Sequence, residues 1–143
     1  MESITGLPKP KWLLWAGIAS LLWNVFGVAA FIMQATMSAE ALSSLPADQQ
    51  ELWGNMGIAT WIAYAVAVGA GTLGALSVIL CRKWAVPLFL LSVAAIALQF
   101  SYPMVYALGN DLMSLMIFPA FIFIVAIAQW LFARKWRDAG WLV

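Results

Sequence analysis

Asn24, Gln34, Thr60, Tyr64, Gln99, Tyr102 and Tyr106 are the side chains of this sequence best suited to chemistry, and the chemistry is hydrogen bonding to an uncharged polar molecule. Amides offer donors and an acceptor together, and tyrosine joins a hydroxyl to a flat apolar ring. Helical spacing aligns them. Ser20, Asn24, Gly27, Phe31 and Gln34 follow steps of four and three, and so do Thr60, Tyr64, Ala67, Gly71 and Gly74. Ser92, Gln99, Tyr102 and Tyr106 share a third face. Residues so spaced lie one above another on a helix.

Two readings of these stripes stand. Neutral polar residues in membrane helices often bond one helix to another merely to hold a bundle together. Alternatively they line a polar cavity for a neutral solute. At about 1.5 Å of rise per residue, Gln34, Thr60, Tyr64, Gln99, Tyr102, Tyr106 and Ser114 fall in the outer half of the membrane, with Asn24 as a floor near the midplane. Pro103 and Pro119 lack the N–H groups that would bond the carbonyls of Gln99 and Leu115, which leaves acceptors at that depth. Gln129, near the inner end, reads as an interfacial residue. Gly27, Ala67, Gly71, Gly74 and Ala75 are expected at helix contacts, where small residues let backbones approach.

The elements that position these side chains follow from charge. All seven Lys and Arg residues fall in three segments: Lys9 and Lys11, Arg82 and Lys83, and Arg134, Lys135 and Arg137. The two remaining connections hold Glu40, Asp48, Glu51 and Asp111 and no cation. With Glu2 and Asp138 counted, the basic side carries +5 and the acidic side −4, so the chain's net +1 conceals a strong asymmetry. Cationic loops mark the cytoplasmic side of a membrane protein. The expected fold is therefore an all-α integral membrane four-helix bundle, N-in/C-in, as a single domain over residues 1–143. Its spans are expected at about 12–36, 56–81, 84–108 and 112–133. Composition agrees: 65% of the 143 residues are hydrophobic and 9% are charged, against about 25% charged in soluble domains. The first span is too long for the h-region of a signal peptide, about 7–15 residues, and Glu2 is incompatible with N-myristoylation.

Between spans 1 and 2, residues 44–53 read as a short outer-surface helix with Ser44 as its cap and Pro46 and Asp48 in its first turn. It is either a surface connector or a lid over a central pocket. Trp12, Trp15, Trp84, Trp130 and Trp136 suit the inner headgroup region and Trp53 the outer one. Trp23 and Trp61, deeper in the spans, read as lipid-facing bulk.

Several functions are excluded on residue content. One cysteine, Cys81, and no histidine leave no intramolecular disulfide and none of the usual donors for haem, zinc or iron–sulfur groups. Cys81 reads as an inert residue at a span end. With no Asp, Glu, Lys or Arg in a span, there is no intramembrane proton carrier and no nucleophile–base pair. No enzyme activity, cofactor or nucleic-acid partner is expected.

The stretch Leu22-Trp-Asn-Val-Phe-Gly27 with Phe31 and Gln34, then Gly71-x-x-Gly74, Lys83-Trp84-Ala85 and Ser92, resembles a family of small bacterial four-span inner-membrane proteins often labelled as sugar transporters. The resemblance covers nearly the whole chain. It implies a bacterial inner-membrane location and a sugar-like solute, and it supplies no catalytic residue. The expected function is binding or facilitated translocation of a small neutral polar solute, with a homodimer as the working unit. The alternative is a non-catalytic accessory subunit packed against a larger membrane complex.

Overall fold

The computed structural model describes residues 8–143, and the regular structure there is entirely helical. Glu2, counted in the charge asymmetry above, lies outside the described residues. In chain order the helices are α1 (Trp12–Ala35), α2 (Ala39–Ser43), α3 (Ala47–Gly54), α4 (Ile58–Ile79), α5 (Ala85–Gln99), α6 (Ser101–Gly109) and α7 (Ile117–Asp138), with a 3-10 turn over Met113–Met116 before α7. Four helical stretches are long and apolar enough to cross a membrane: Trp12–Ala35, Ile58–Ile79, Ala85–Gly109 and Met113–Asp138. The shortest, 22 residues, covers about 33 Å at ~1.5 Å per residue, enough for a hydrocarbon core of about 30 Å.

One span's interior and another's limit differ from expectation. The third span breaks at Phe100, between α5 and α6. Pro103 has no N–H for the Gln99 carbonyl, so α5 ends at that carbonyl and a new helix starts beyond it. The fourth span continues past Ala133 to Asp138. Its cations, Lys135 and Arg137 among them, stay helical because positive charge is favourable in a last turn. Trp136, on that same turn, is buried and packs with Leu13, Val78 and Phe89 in the main apolar cluster. Trp136 is thus a core residue rather than an interface anchor. Pro119 also differs in effect: it sits in the first turn of α7, where its missing N–H would have had no helical partner in any case.

Tight links join the second span to the third and the third to the fourth. Cys81 (φ 54°) and Asp111 (φ 56°) adopt the left-handed conformation just beyond α4 and α6. The Arg82 N–H donates to the Ser77 carbonyl at 2.7 Å, and the Leu112 N–H to that of Ala107 at 2.9 Å. These six-to-one bonds are Schellman closures, which satisfy the terminal carbonyls of a helix while reversing the chain.

The three basic segments gather at one end. The ammonium of Lys9 donates to Cys81 Sγ at 3.1 Å. The Lys83 N–H donates to the Val143 carbonyl at 3.0 Å, and the Val143 N–H to that of Cys81 at 2.9 Å. The Trp12 ring meets Trp136 and Trp141 edge-on, at 6.0 and 5.7 Å.

Packing is uneven among the spans. α4 lies against both α1 and α5, and α7 lies against α5. In the most apolar stretch of each, 44% of α4 and 33% of the α5–α6 span are buried, against 6% of α1 and 11% of α7. Small residues make the central pair possible: Ala67, Gly71, Gly74 and Ala75 are all buried on α4. A Cβ at Gly74 would stand 2.8 Å from the Phe89 ring, and one at Gly27 would stand 3.2 Å from Val68 Cγ1. We expect Gly74→Leu to lower the thermal midpoint in detergent, at a cost of about 1–3 kcal/mol. Gly69→Leu, on the same helix but with nothing within 4 Å of its Cβ, should leave the midpoint unchanged or higher. Equal losses at both positions would contradict this packing.

Candidate functional site

A cavity of about 370 Å³ lies between the spans, within the range of about 300–1,000 Å³ usual for ligand pockets. α1 contributes Asn24, Gly27 and Gln34, α4 contributes Tyr64 and Ala67, and α5 contributes Ser92, Ile96 and Gln99. α7 supplies Pro119, Ile122, Ala126 and Gln129. No lining residue carries a formal charge. Of the seven residues expected to bind solute, four line this space: Asn24, Gln34, Tyr64 and Gln99.

Thr60, Tyr102 and Tyr106 do not line it. Thr60 is partly exposed near the outer end of α4. On the third span the buried stripe runs from Ser92 through Ile96 and Gln99 to Pro103 and Ala107. Beyond Gln99 it advances in steps of four, one position past each tyrosine. Tyr102 and Tyr106 instead pair with one another, with ring centroids 6.4 Å apart. The Tyr106 hydroxyl donates to Glu51 Oε2 at 2.8 Å. Tyr106 therefore ties α6 to the outer connection. Ser114, also expected in this zone, is exposed.

That connection is two helices rather than one. Ser44 does not cap α3, whose N-cap position is Pro46, while Ser38 caps α2 by accepting the Ala41 N–H at 3.1 Å. The Ser44 hydroxyl donates to the Ala41 carbonyl at the end of α2, and Pro46 precedes α3. The Gln50 amide donates to the carbonyls of Ser43 and Leu45, which fixes the joint between the two helices. Leu52 is buried, and Gln49, Leu52, Trp53 and Met56 line the cavity. α3 thus covers its outer end as a lid.

The floor is built from amides. Asn24 Nδ2 donates to Gln129 Oε1 at 3.0 Å and to the Ser20 carbonyl at 2.8 Å. Gln129 is therefore not an interfacial residue. With its helix running on to Asp138, it lies near the middle of α7 and faces the bundle. Gly71 makes room for this pair: a Cβ there would overlap Asn24 Oδ1 and come within 3.3 Å of Ser92 Oγ. The Ser92 hydroxyl donates to the Ala67 carbonyl at 2.7 Å, an inter-helix bond between α5 and α4.

Below the floor, an apolar groove of about 500 Å³ runs between the inner halves of α1 and α7. Trp23, Phe89 and Gln129 line both spaces and form the constriction between them. The Trp23 ring meets Phe121 of α7 edge-on at 5.7 Å, so it bridges two spans instead of facing lipid alone. Trp61 is also drawn inward: it stacks on Tyr64 at 6.2 Å, and Phe31 packs edge-on against Tyr64 at 5.0 Å. This aromatic cluster holds Tyr64 in place beside the Gln34 amide.

One polar atom of the cavity stands out. Gln34 Oε1 is buried and has no hydrogen-bond partner. An unsatisfied buried acceptor costs about 1–3 kcal/mol.

Gln129 had a sequence signal, since Pro119, Ile122, Ala126 and Gln129 repeat at three-four-three steps. Gln49, Trp53 and Met56 do so at four and three. Comparison with protein-family models, with curated proteins and with solved structures finds no match to this chain.

The amide pair sets a measurable coupling. In a double-mutant cycle of Asn24→Ala and Gln129→Ala, unfolding in micelles should give an interaction energy of about 0.6–1.7 kcal/mol, from the average to the largest value for inter-helix hydrogen bonds in membranes. Strict additivity would mean that the bond contributes nothing.

Proposed function

We propose that this protein binds an uncharged molecule rich in hydroxyl or amide groups and moves it across a bacterial inner membrane, without catalysis. A cavity lined by the amides of Asn24, Gln34 and Gln99 and the hydroxyls of Tyr64 and Ser92, with no charged side chain, is the observation that carries this reading. An ionic solute would enter a space with no opposite charge to compensate it, at a steep desolvation cost. Amides and a ring-supported hydroxyl suit a polyol, and the resemblance to proteins labelled as sugar transporters points to the same class. The outer lid and the inner constriction place a barrier on each side of the cavity, as alternating exposure requires. Orientation follows from the basic segments, which favour the cytoplasmic side.

An outward stripe of small residues would favour the accessory-subunit alternative, as a packing face. Ala67, Gly71, Gly74 and Ala75 are instead buried within the bundle, which supports the solute-binding reading over that alternative. A homodimer stays part of the proposal, through those surfaces of α1 and α7 that lie away from Phe26 and Phe118.

The test is osmotic swelling of proteoliposomes in glycerol, erythritol or glucose. The protein should speed swelling for at least one of these, and Gln34→Leu should slow it about fivefold, the effect of one lost hydrogen bond. No proton carrier lines the path, so an imposed pH gradient should change neither rate nor direction. Proton-driven accumulation, or the absence of both binding and flux for all three, would refute the proposal.

A further inference from the structure

The cavity has a side entrance. α1 and α7 both flank it, yet they are the two most exposed spans and pack closely on α4 and α5 rather than on each other. Phe26 of α1 and Phe118 of α7 both line the cavity while remaining 80% and 64% exposed. They are the jambs of an opening that faces the lipid. The other ways in are obstructed. α3 lies across the outer end through the buried Leu52. Trp23, Phe89 and the Asn24–Gln129 bond narrow the inner end. Apolar side chains make up most of the lining, and Gln34, Gln99 and Asn24 supply its hydrogen-bonding groups.

From this arrangement we propose that the ligand is an uncharged amphiphile that enters sideways from the bilayer, its hydroxylated or amide head against Gln34 and its apolar chain between Phe26 and Phe118. The inference rests on the reading of the cavity as a site for an uncharged hydrogen-bonding molecule, and adds to it the apolar half and the route. A free polyol would have to cross hydrocarbon to reach a lateral mouth, which its polar groups resist. An amphiphile is already dissolved there, and burying its chain against the phenylalanines repeats the contacts it leaves. A zwitterionic or anionic head finds no charged partner inside and is rejected.

The probe is a monoacylglycerol carrying a diazirine in its acyl chain, photolysed with the full-length protein in phosphatidylcholine nanodiscs and mapped by peptide mass spectrometry. Labelling should concentrate on Phe26 and Phe118 and their neighbours Ala30 and Ile122. Unlabelled monoolein should compete, and lysophosphatidylcholine should not. Gln34→Leu should lower labelling about fivefold. Gln49→Leu, outside the spans and so safer for folding, should lower it as well. Leu98→Ala, at an exposed position away from the cavity, should change nothing. Labelling spread evenly over exposed positions such as Leu98 and Val105, or equal competition by lysophosphatidylcholine, would overturn the inference. So would a dimer that shields Phe26 and Phe118 from the probe. Polyol-driven swelling without focused labelling would sink the lateral amphiphile and leave the proposed function standing. Absence of both would remove the two together.

Discussion

Asn24 Nδ2 and Gln129 Oε1 meet 3.0 Å apart, and among the described residues no other hydrogen bond joins α1 to α7. The geometry around the cavity depends on that contact. α1 and α7 are each packed along one side only, by α4 and α5 respectively. Their mutual position is set by side chains that span the gap: this amide pair, the Trp23–Phe121 contact and the Trp12–Trp136 contact at the basic end. The pair in turn depends on a glycine. Asn24 reaches inward because Gly71 has no Cβ to meet it. A side chain there would push the amide away and open the floor between the outer cavity and the inner groove.

Charge imposes a second constraint. The cations sit in segments brought together by the Lys9–Cys81 and Lys83–Val143 contacts, and the carboxylates of the outer connections stay at the other end. Glu51 is used there to hold the lid, through the Tyr106 hydroxyl. What remains for the interior is neutral. Neutral amides can be buried because each has both donors and acceptors to pair, whereas a lone charge at this depth would have to find a counter-ion. The same neutrality confines the proposed ligand to uncharged molecules and removes a proton as the coupling ion.

Much of this was legible in the sequence because membrane insertion is encoded in gross features. The alternation of basic and acidic connections and the length of the apolar runs gave four spanning helices, and the structure has four. The faces carrying Asn24, Gln34, Tyr64 and Gln99 followed from helical spacing, and these residues line one cavity. Other features depended on terms that spacing does not carry. Tyr102 and Tyr106 extended the Gln99 stripe on paper, but beyond the break at Phe100 the buried stripe passes through Pro103 and Ala107. Gln129 reads as peripheral if the span ends at Ala133, while helix dipole and the burial of Trp136 carry α7 to Asp138. The lid role of α3 rests on Leu52, a tertiary contact that local turn chemistry does not report. The sparse packing of α1 on α7 is likewise a tertiary matter, set by their packing on α4 and α5.

The central claim is that the amide pair fixes the separation of the first and fourth spans. It can be tested by pulsed electron paramagnetic resonance with spin labels at Val25 and Ile124, both exposed and both off the cavity wall. A Cys81→Gly background removes the native thiol at a position whose left-handed φ of 54° suits glycine. The account predicts one narrow distance distribution in lipid nanodiscs, which broadens and shifts to longer distance when Asn24→Ala removes the donor. An identical distribution with and without Asn24 would contradict it.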